Sequence, residues 1–373
     1  MFPIAVALSR NASLSEIERA MKHWLDTVIV PVEQKNWRQI LSLMDSVNES
    51  GWQIDFVLWA KGAKVRNVPL QRFTKHPCLA GWLIQEVQDL SLIAMLKATT
   101  EKGKAWSWEK PSPFVDGVIS NKPEGSKWWA LVSVDEIESL ETKIADALLA
   151  GAEGICFYPL PSENDLTSEE QMKAIGFFAV HLRLWKPLLS ERTKFSESWE
   201  WKTESVHGRI WTLENGESFC LFKPLSAEVS SVLMLPFSVR EGFRSYSVRF
   251  PALVRLPMQR KGEITIVKLD KLQKVNLVWF TGYQERIRKI HQYTNELAPK
   301  AMQFAVQWAL ARKERLTKEG YKLEAISDDF QSMIKSAKRR QFSQGYLKAC
   351  QILESLGALN LEPMAFARNC KDR

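Results

Sequence analysis

A chain of 373 residues, 45% hydrophobic and 25% charged, is long enough for two or three domains and too apolar for a disordered protein. Its formal charge of +8 comes from Lys and Arg interleaved with Asp and Glu along the whole length. That pattern argues against nucleic-acid binding, which needs a clustered basic face, and no run of about 18 apolar residues is present to span a membrane.

Residues 2–190 alternate strand-like and helix-like segments, the pattern of an α/β domain with a parallel sheet. The first strand is at 4–8, followed by a helix whose capping box pairs Ser13 with Glu16. Strands at 28–32, 52–59 and 79–85 come next, with helices over 36–48, stopped at Gly51, and over 90–100. Four more strands follow at 105–108, 114–119, 128–134 and 154–158. An amphipathic helix over 135–150 separates the last two and ends at Gly151, and a helix over 168–189 closes a first domain spanning 1–192.

Eight strands in this order predict a compact (β/α)8 TIM-like barrel. Such barrels usually take about 250 residues, and here the links from strand five to six and from six to seven are too short for helices. The barrel is therefore expected to be incomplete or distorted on that side, with an open α/β sheet as the alternative.

Over 193–283 the pattern changes to short strands, at 208–211, 219–222, 232–235, 246–250, 263–269 and 276–280. Turn signals at Pro224, Pro236, Pro251 and Lys261-Gly262 punctuate them, Asn215-Gly216 is the strongest hairpin signal in the chain, and together they predict a β-sandwich domain. Residues 284–373 read as an α-helical domain: a helix over 284–295, a restart with Pro299 in the first helical position running to 319, and an antiparallel pair over 328–340 and 344–356. The apolar stripe Ala301, Phe304, Ala305 and Trp308 offers this domain a surface for a homo-oligomer. The longest basic cluster, at 335–340, reads as the solvated face and last turn of a helix.

Fifteen Trp exceed what packing needs, and the surplus suits stacking against the C–H faces of sugar rings. The five Cys, at 78, 156, 220, 350 and 370, form no CxxC pair and have no His at ligand spacing, so no metal and no other cofactor is expected. Cys78 and Cys156 lie in apolar runs and read as buried free thiols. Strand-like residues begin at position 2 without a basic n-region or cleavage site, which points to the cytoplasm if Met1 is native and to an extracytoplasmic place if a signal peptide was trimmed.

Residues 76–86 have the form HPxxxGWxxxE, from His76-Pro77 through Gly81-Trp82 to Glu86. The segment resembles the fourth strand of TIM-barrel glycoside hydrolases, where it leads into the carboxylate that serves as general acid/base. Residues 147–158, with Gly151-Ala152 and the run from Gly154 to Tyr158, are similar to the eighth-strand unit of such barrels. The passage over 268–301 resembles a segment of uncharacterised bacterial glycosidase-like proteins in which a T-x-D element leads into helices. Here Gly282 stands near the acid's place, so no role for that acid carries over. The resemblance implies a hydrolase acting on a carbohydrate substrate, with Glu86 as acid/base and a nucleophile ending strand seven, where Asp135 and Glu136 stand.

Position also marks Glu86, because the chemistry of a (β/α)8 barrel sits at the C-terminal ends of its strands. Glycosidases need two carboxyl groups, one to protonate the leaving oxygen and one to act as nucleophile or as base for water. For the second role Asp135 and Glu136 compete with Asp116 within strand six, Glu33 after strand two and Glu109 after strand five. Ser133 with Glu136 also reads as a capping box, which accounts for that segment without catalysis. Arg10, Glu33, Trp59, Lys61, Asn121 and Tyr158 stand where a sugar would meet the strand ends. Trp106 and Trp108 share one strand face, a stacking platform if it lines the cleft and core if it meets helices; His76 and His181 read as structural. Two further readings stay open: a non-catalytic member of the same fold that binds carbohydrate or protein, and an assembly protein joined through its helices.

Overall fold

The computed structural model describes residues 2–65, 67–74, 76–85, 96, 105–109, 117–120, 128–158, 166–191, 195–225, 232–269 and 275–358. The chain divides into two compact units, one made of Phe2–Glu136 with Ala150–Ser162, the other of Ile137–Leu149 with Glu163–Arg373.

The first unit holds eight strands: β1 (Ile4–Ala7), β2 (Thr27–Val32), β3 (Asp55–Lys61), β4 (Leu79–Gln85), β5 (Ala105–Glu109), β6 (Gly117–Ser120), β7 (Trp128–Ser133) and β8 (Gly154–Tyr158). They close into a ring in sequence order, β1 meeting β8 with Ala5 opposite Cys156. Neighbours run parallel except at β6, which is antiparallel to both β5 and β7. Chain length accounts for the reversal. A parallel return needs a crossover of roughly a dozen residues or more, whereas only residues 110–116 and 121–127 join β6 to its neighbours. The expected parallel order is corrected at this strand, and the architecture is that of a partial (β/α) barrel.

Helices α1 (Leu14–Lys22) and α2 (Trp37–Glu49) follow β1 and β2. The capping box at α1 is present: the Glu16 amide donates to Ser13 Oγ at 3.3 Å, and the Ser13 amide donates to the Glu16 carboxylate at 2.8 Å. Helix α2 buries Ile40, Leu43, Met44 and Val47, the spacing of one helical face. Inside the ring, Ala5, Ala7, Ile29, Val57, Leu83, Trp129, Leu131 and Cys156 form one buried cluster, with Trp59 packed on it. Only the interior of a closed sheet gathers side chains from so many strands, so these residues mark the inward set; their neighbours Val6, Val30, Leu58, Trp82 and Phe157 take the outer face and are also buried.

The second unit contains helices α3 (Ile137–Leu149) and α4 (Leu166–Leu189) and two antiparallel sheets. The six-stranded sheet has β14 (Leu253–Leu256), β13 (Arg244–Val248), β17 (Asn276–Thr281), β11 (Ser218–Pro224), β10 (Val206–Leu213) and β9 (Phe195–Lys202) in that spatial order. The three-stranded sheet has β12 (Val232–Leu235), β16 (Ile264–Lys268) and β15 (Met258–Lys261). Ile210, Phe222, Leu235, Val267, Val278 and Phe280 belong to one core that both sheets supply. The Asn215-Gly216 hairpin joins β10 to β11, with Gly216 at φ 84, a region open to glycine, and its amide on the Leu213 carbonyl at 2.9 Å.

Helix α5 (Gln284–Lys318) is followed by α6 (Ser327–Lys338) and α7 (Phe342–Ser355). The expected break at Pro299 is absent, and α5 runs through it for 35 residues. Proline removes one helical hydrogen bond, but Leu297, Ala298, Ala301 and Met302 are buried on both sides of it, so packing outweighs the loss. Arg312 of α5 is fully buried and donates to Glu170 of α4 at 3.1 Å, Glu138 of α3 at 2.6 Å and the Leu356 carbonyl at 3.2 Å. Burial opposes the charge on Glu138, yet the Arg312 guanidinium prevails and holds that carboxyl below its usual range. Among the described residues no helix is long and apolar enough to cross a membrane.

His181 of α4 packs against Phe177, Phe250 and Tyr346. Its Nδ1–H donates to the Phe177 carbonyl at 2.8 Å, which leaves Nε2 to accept from the Tyr346 hydroxyl at 2.8 Å. The ring is therefore held neutral, and desolvation brings its pKa down to about 4. The unfolded chain then takes up a proton before the folded one, so this contribution is whole above pH 6.5 or so and shrinks as the pH falls towards 4. We expect His181 to account for about 2 kcal/mol of stability lost between neutral pH and pH 4, a figure discounted because the residue is only half-buried. Denaturant titrations at both pH values check this: His181→Leu should narrow the difference, and an unchanged difference would clear His181 of the effect.

Candidate active site at the barrel mouth

The inward set identifies what stands at the C-terminal mouth of the ring. Counting by twos from its members leads to Glu33 just past β2, Trp59 and Lys61 on β3, Gln85 ending β4, Ser133 ending β7 and Tyr158 ending β8. A filling of apolar side chains, Trp129 among them, thus gives way to polar groups beside Trp59 and Tyr158 where the strands stop. Tyr158 is 39% exposed and Trp59 is half-buried.

Three loops meet at Glu33. Its carboxylate is 3.3 Å from Arg10 Nε, after β1, and 3.4 Å from Lys64 Nζ, in the turn after β3. The Glu33 side chain is only 18% exposed, so two cations answer a largely covered charge. Asn36 holds the backbone beneath: its Oδ1 accepts from the Glu33 amide at 2.7 Å, and its Nδ2 donates to the carbonyls of Pro31 at 2.9 Å and Arg10 at 3.0 Å. Asn36 sits at the start of α2 but spends its amide on this loop rather than on the helix. Glu33 and Arg10 are among the residues expected at the site; Lys64 and Asn36 are not, and only the capping preference of Asn gave a signal for the latter.

On the next two strands of the ring, Trp59 Nε1 donates to Gln85 Oε1 at 3.1 Å, fixing an indole and an amide side by side. At the end of β7 the Ser133 hydroxyl donates to the Asp135 carboxylate at 2.7 Å and accepts from the Asp135 amide at 3.2 Å, a turn closed ahead of α3. Asp135 and Glu136 are both exposed. Trp106 and Trp108 lie two apart on β5, with Trp106 opposite Leu83 and Trp108 opposite Ile119. Glu86, Asp116 and Asn121 lie outside the described residues. Among the described residues no group of three His, Cys, Asp or Glu is placed to hold a metal ion, and Cys78, Cys156 and Cys220 are buried free thiols whose pKa values burial pushes up.

No family model matches the chain, and no curated protein matches it in sequence. Its structural neighbours are glycoside hydrolases at low sequence identity. A putative alpha-N-acetylgalactosaminidase from Bacillus halodurans C-125 is 9% identical with a TM-score of 0.46, over 76% of this chain and 98% of that one. A GH27 β-L-arabinopyranosidase from Geobacillus stearothermophilus is 12% identical with a TM-score of 0.28, over 72% of this chain and 60% of that one. Alpha-galactosidase I from Mortierella vinacea is 9% identical with a TM-score of 0.25, over 74% of this chain and 76% of that one. Likenesses this faint carry neither fold nor activity over to this chain.

The Trp59–Gln85 pair is open to a direct check. Trp59→Phe keeps an aromatic ring in the barrel but removes the Nε1 donor, so it should cost about 1 kcal/mol in thermal or denaturant unfolding, whereas Trp59→Ala should cost about 3–5 kcal/mol. Equal, small losses for the two variants would show that Trp59 is not part of the interior packing.

Proposed function

We propose that the barrel unit is a glycoside hydrolase that binds a glycan at the C-terminal ends of its strands and cleaves a glycosidic bond there. The observation that carries this reading is the change in the inward set, from apolar filling to Trp59 and Tyr158 beside the polar Gln85 and Glu33 at the mouth. Aromatic faces beside fixed hydrogen-bonding groups are what a sugar ring requires. Glu86, directly after β4, is assigned the protonation of the leaving oxygen, and Asp135 or Glu136, directly after β7, the role of nucleophile or of base for water. Arg10, Trp106, Trp108 and Asn121 are assigned to sugar contact, and Asp116 is the reserve for the second carboxyl group.

A second reading, glycan binding without turnover, has its own support. Asp135 is hydrogen-bonded to Ser133, and Glu33 is ion-paired twice, so both carboxylates are already engaged. Hydrolysis assays on a panel of neutral oligosaccharides separate the two. In the hydrolase reading Glu86→Gln lowers kcat about 10²–10⁴-fold while glycan binding survives, and Asp135→Ala or Glu136→Ala stops turnover that azide partly restores. Binding without cleavage by the unaltered protein decides for the second reading, and failure to bind any glycan sinks both.

A further inference from the structure

A groove of about 870 Å³ opens in the second unit where the chain passes from β14 through Pro257 into β15, leaving one sheet for the other. Phe243, Ser245 and Leu256 form its buried lining, with Ile266 half-buried beside them. Arg244, Arg255, Arg260 and Lys268 also line it, all exposed, and no Asp or Glu does. Among the described residues none of these four cations takes part in an ion pair. Arg286 and Arg312 of the same unit, by contrast, are matched by carboxylates, Glu191 at 2.6 Å and Glu138 at 2.6 Å. Four like charges around one concavity repel each other, and a bound anion relieves that repulsion.

Size and lining narrow the ligand. The groove falls in the range of ligand sites, roughly 300–1,000 Å³, and so suits a chain of a few units more than a single ion. A single-stranded nucleic acid would need exposed aromatic rings for its bases, and the one ring in the lining, Phe243, is 9% exposed. Aliphatic surface flanked by guanidinium forks instead suits a sugar chain bearing acidic groups, since the fork pairs bidentately with planar oxyanions. We infer that this groove binds an acidic oligosaccharide, its carboxylate or sulfate groups set against Arg244, Arg255 and Lys268 and its ring faces against Val232, Met258 and Ile266. This goes beyond the barrel reading and does not rest on it, because every lining residue belongs to the second unit.

The test is calorimetric titration of the full chain with an oligogalacturonate, a heparin-derived oligosaccharide of equal length, a neutral oligosaccharide and a short single-stranded DNA. The expected result is binding of one or both acidic glycans, weakened by added salt and by about tenfold or more in the Arg244→Gln/Arg255→Gln variant, with Lys289→Gln, outside the lining and paired with Glu285, as a control that binds normally. Binding of the oligogalacturonate shows that carboxylates suffice, and binding of the heparin-derived oligosaccharide alone shows that sulfate is required. Arg260 is left unaltered because it donates to the carbonyls of Arg240 at 2.8 Å and Phe243 at 3.4 Å and so supports the fold. If the double variant melts early, Lys268→Gln carries the same expectation of weakened binding. No acidic glycan bound at low salt, binding indifferent to these substitutions, equal binding of the neutral glycan, or tighter binding of DNA would each overturn the inference. The Glu86→Gln variant should bind the acidic glycan normally, which keeps this outcome separate from the barrel's.

Discussion

Eight strands that close on themselves leave each residue only two choices, inside the ring or outside it, and the period of two then propagates that choice to the strand ends. Ala5, Ala7 and Cys156 are small because Trp129 and Trp59 share the same interior. The same parity brings Glu33, Lys61, Gln85 and Tyr158 to one mouth from strands that are far apart in sequence. Trp82 and Ile84, equally apolar in sequence, are committed to the outer face by it. The mouth is thus a consequence of closure, not of any local motif.

The second unit is organised by buried charge. Glu170 and Glu217 are both fully buried, and each is met by arginine: Glu170 by Arg312 and Arg315, Glu217 by Arg286. Removing one member of such a set typically costs about 3–5 kcal/mol, because the partner is left charged and dry. These sets therefore constrain which helices and strands can lie together, whereas Lys22 with Glu18 or Lys318 with Glu314, exposed on single helices, contribute little. The contrast with Arg244, Arg255 and Lys268 is one of position: those cations stand at a rim open to water, where an unmatched charge costs far less.

Much of the fold was legible in the sequence wherever local chemistry decides the outcome. The strand order of the ring, the Ser13–Glu16 box and the Asn215-Gly216 hairpin follow from spacing and turn residues. Short links foretold a disturbed barrel wall, but not that β6 would reverse, since strand direction depends on the pairing partners. β9, β14 and β15, unread as strands, are all sheet edges, and β9 and β15 carry charged residues where a central strand would carry apolar ones. Pro299 misled because burial on both sides outweighs a local rule. At the candidate site the HPxxxGWxxxE pattern points to Glu86, while the inward face of β4 ends at Gln85; which face is inward is set by closure, and no short pattern records it.

The course of the chain bears on how this protein can be taken apart. It enters the second unit at Ile137, leaves it after Leu149 and returns at Glu163. Glu138 and Glu170 lie in those early passages, but the guanidinium that both depend on comes from Arg312, well over a hundred residues later. A gene fragment ending anywhere between α4 and α5 would keep the fully buried Glu170 and discard its counter-ion. Dissection of this molecule into working pieces has to follow its ion pairs and not its linear order.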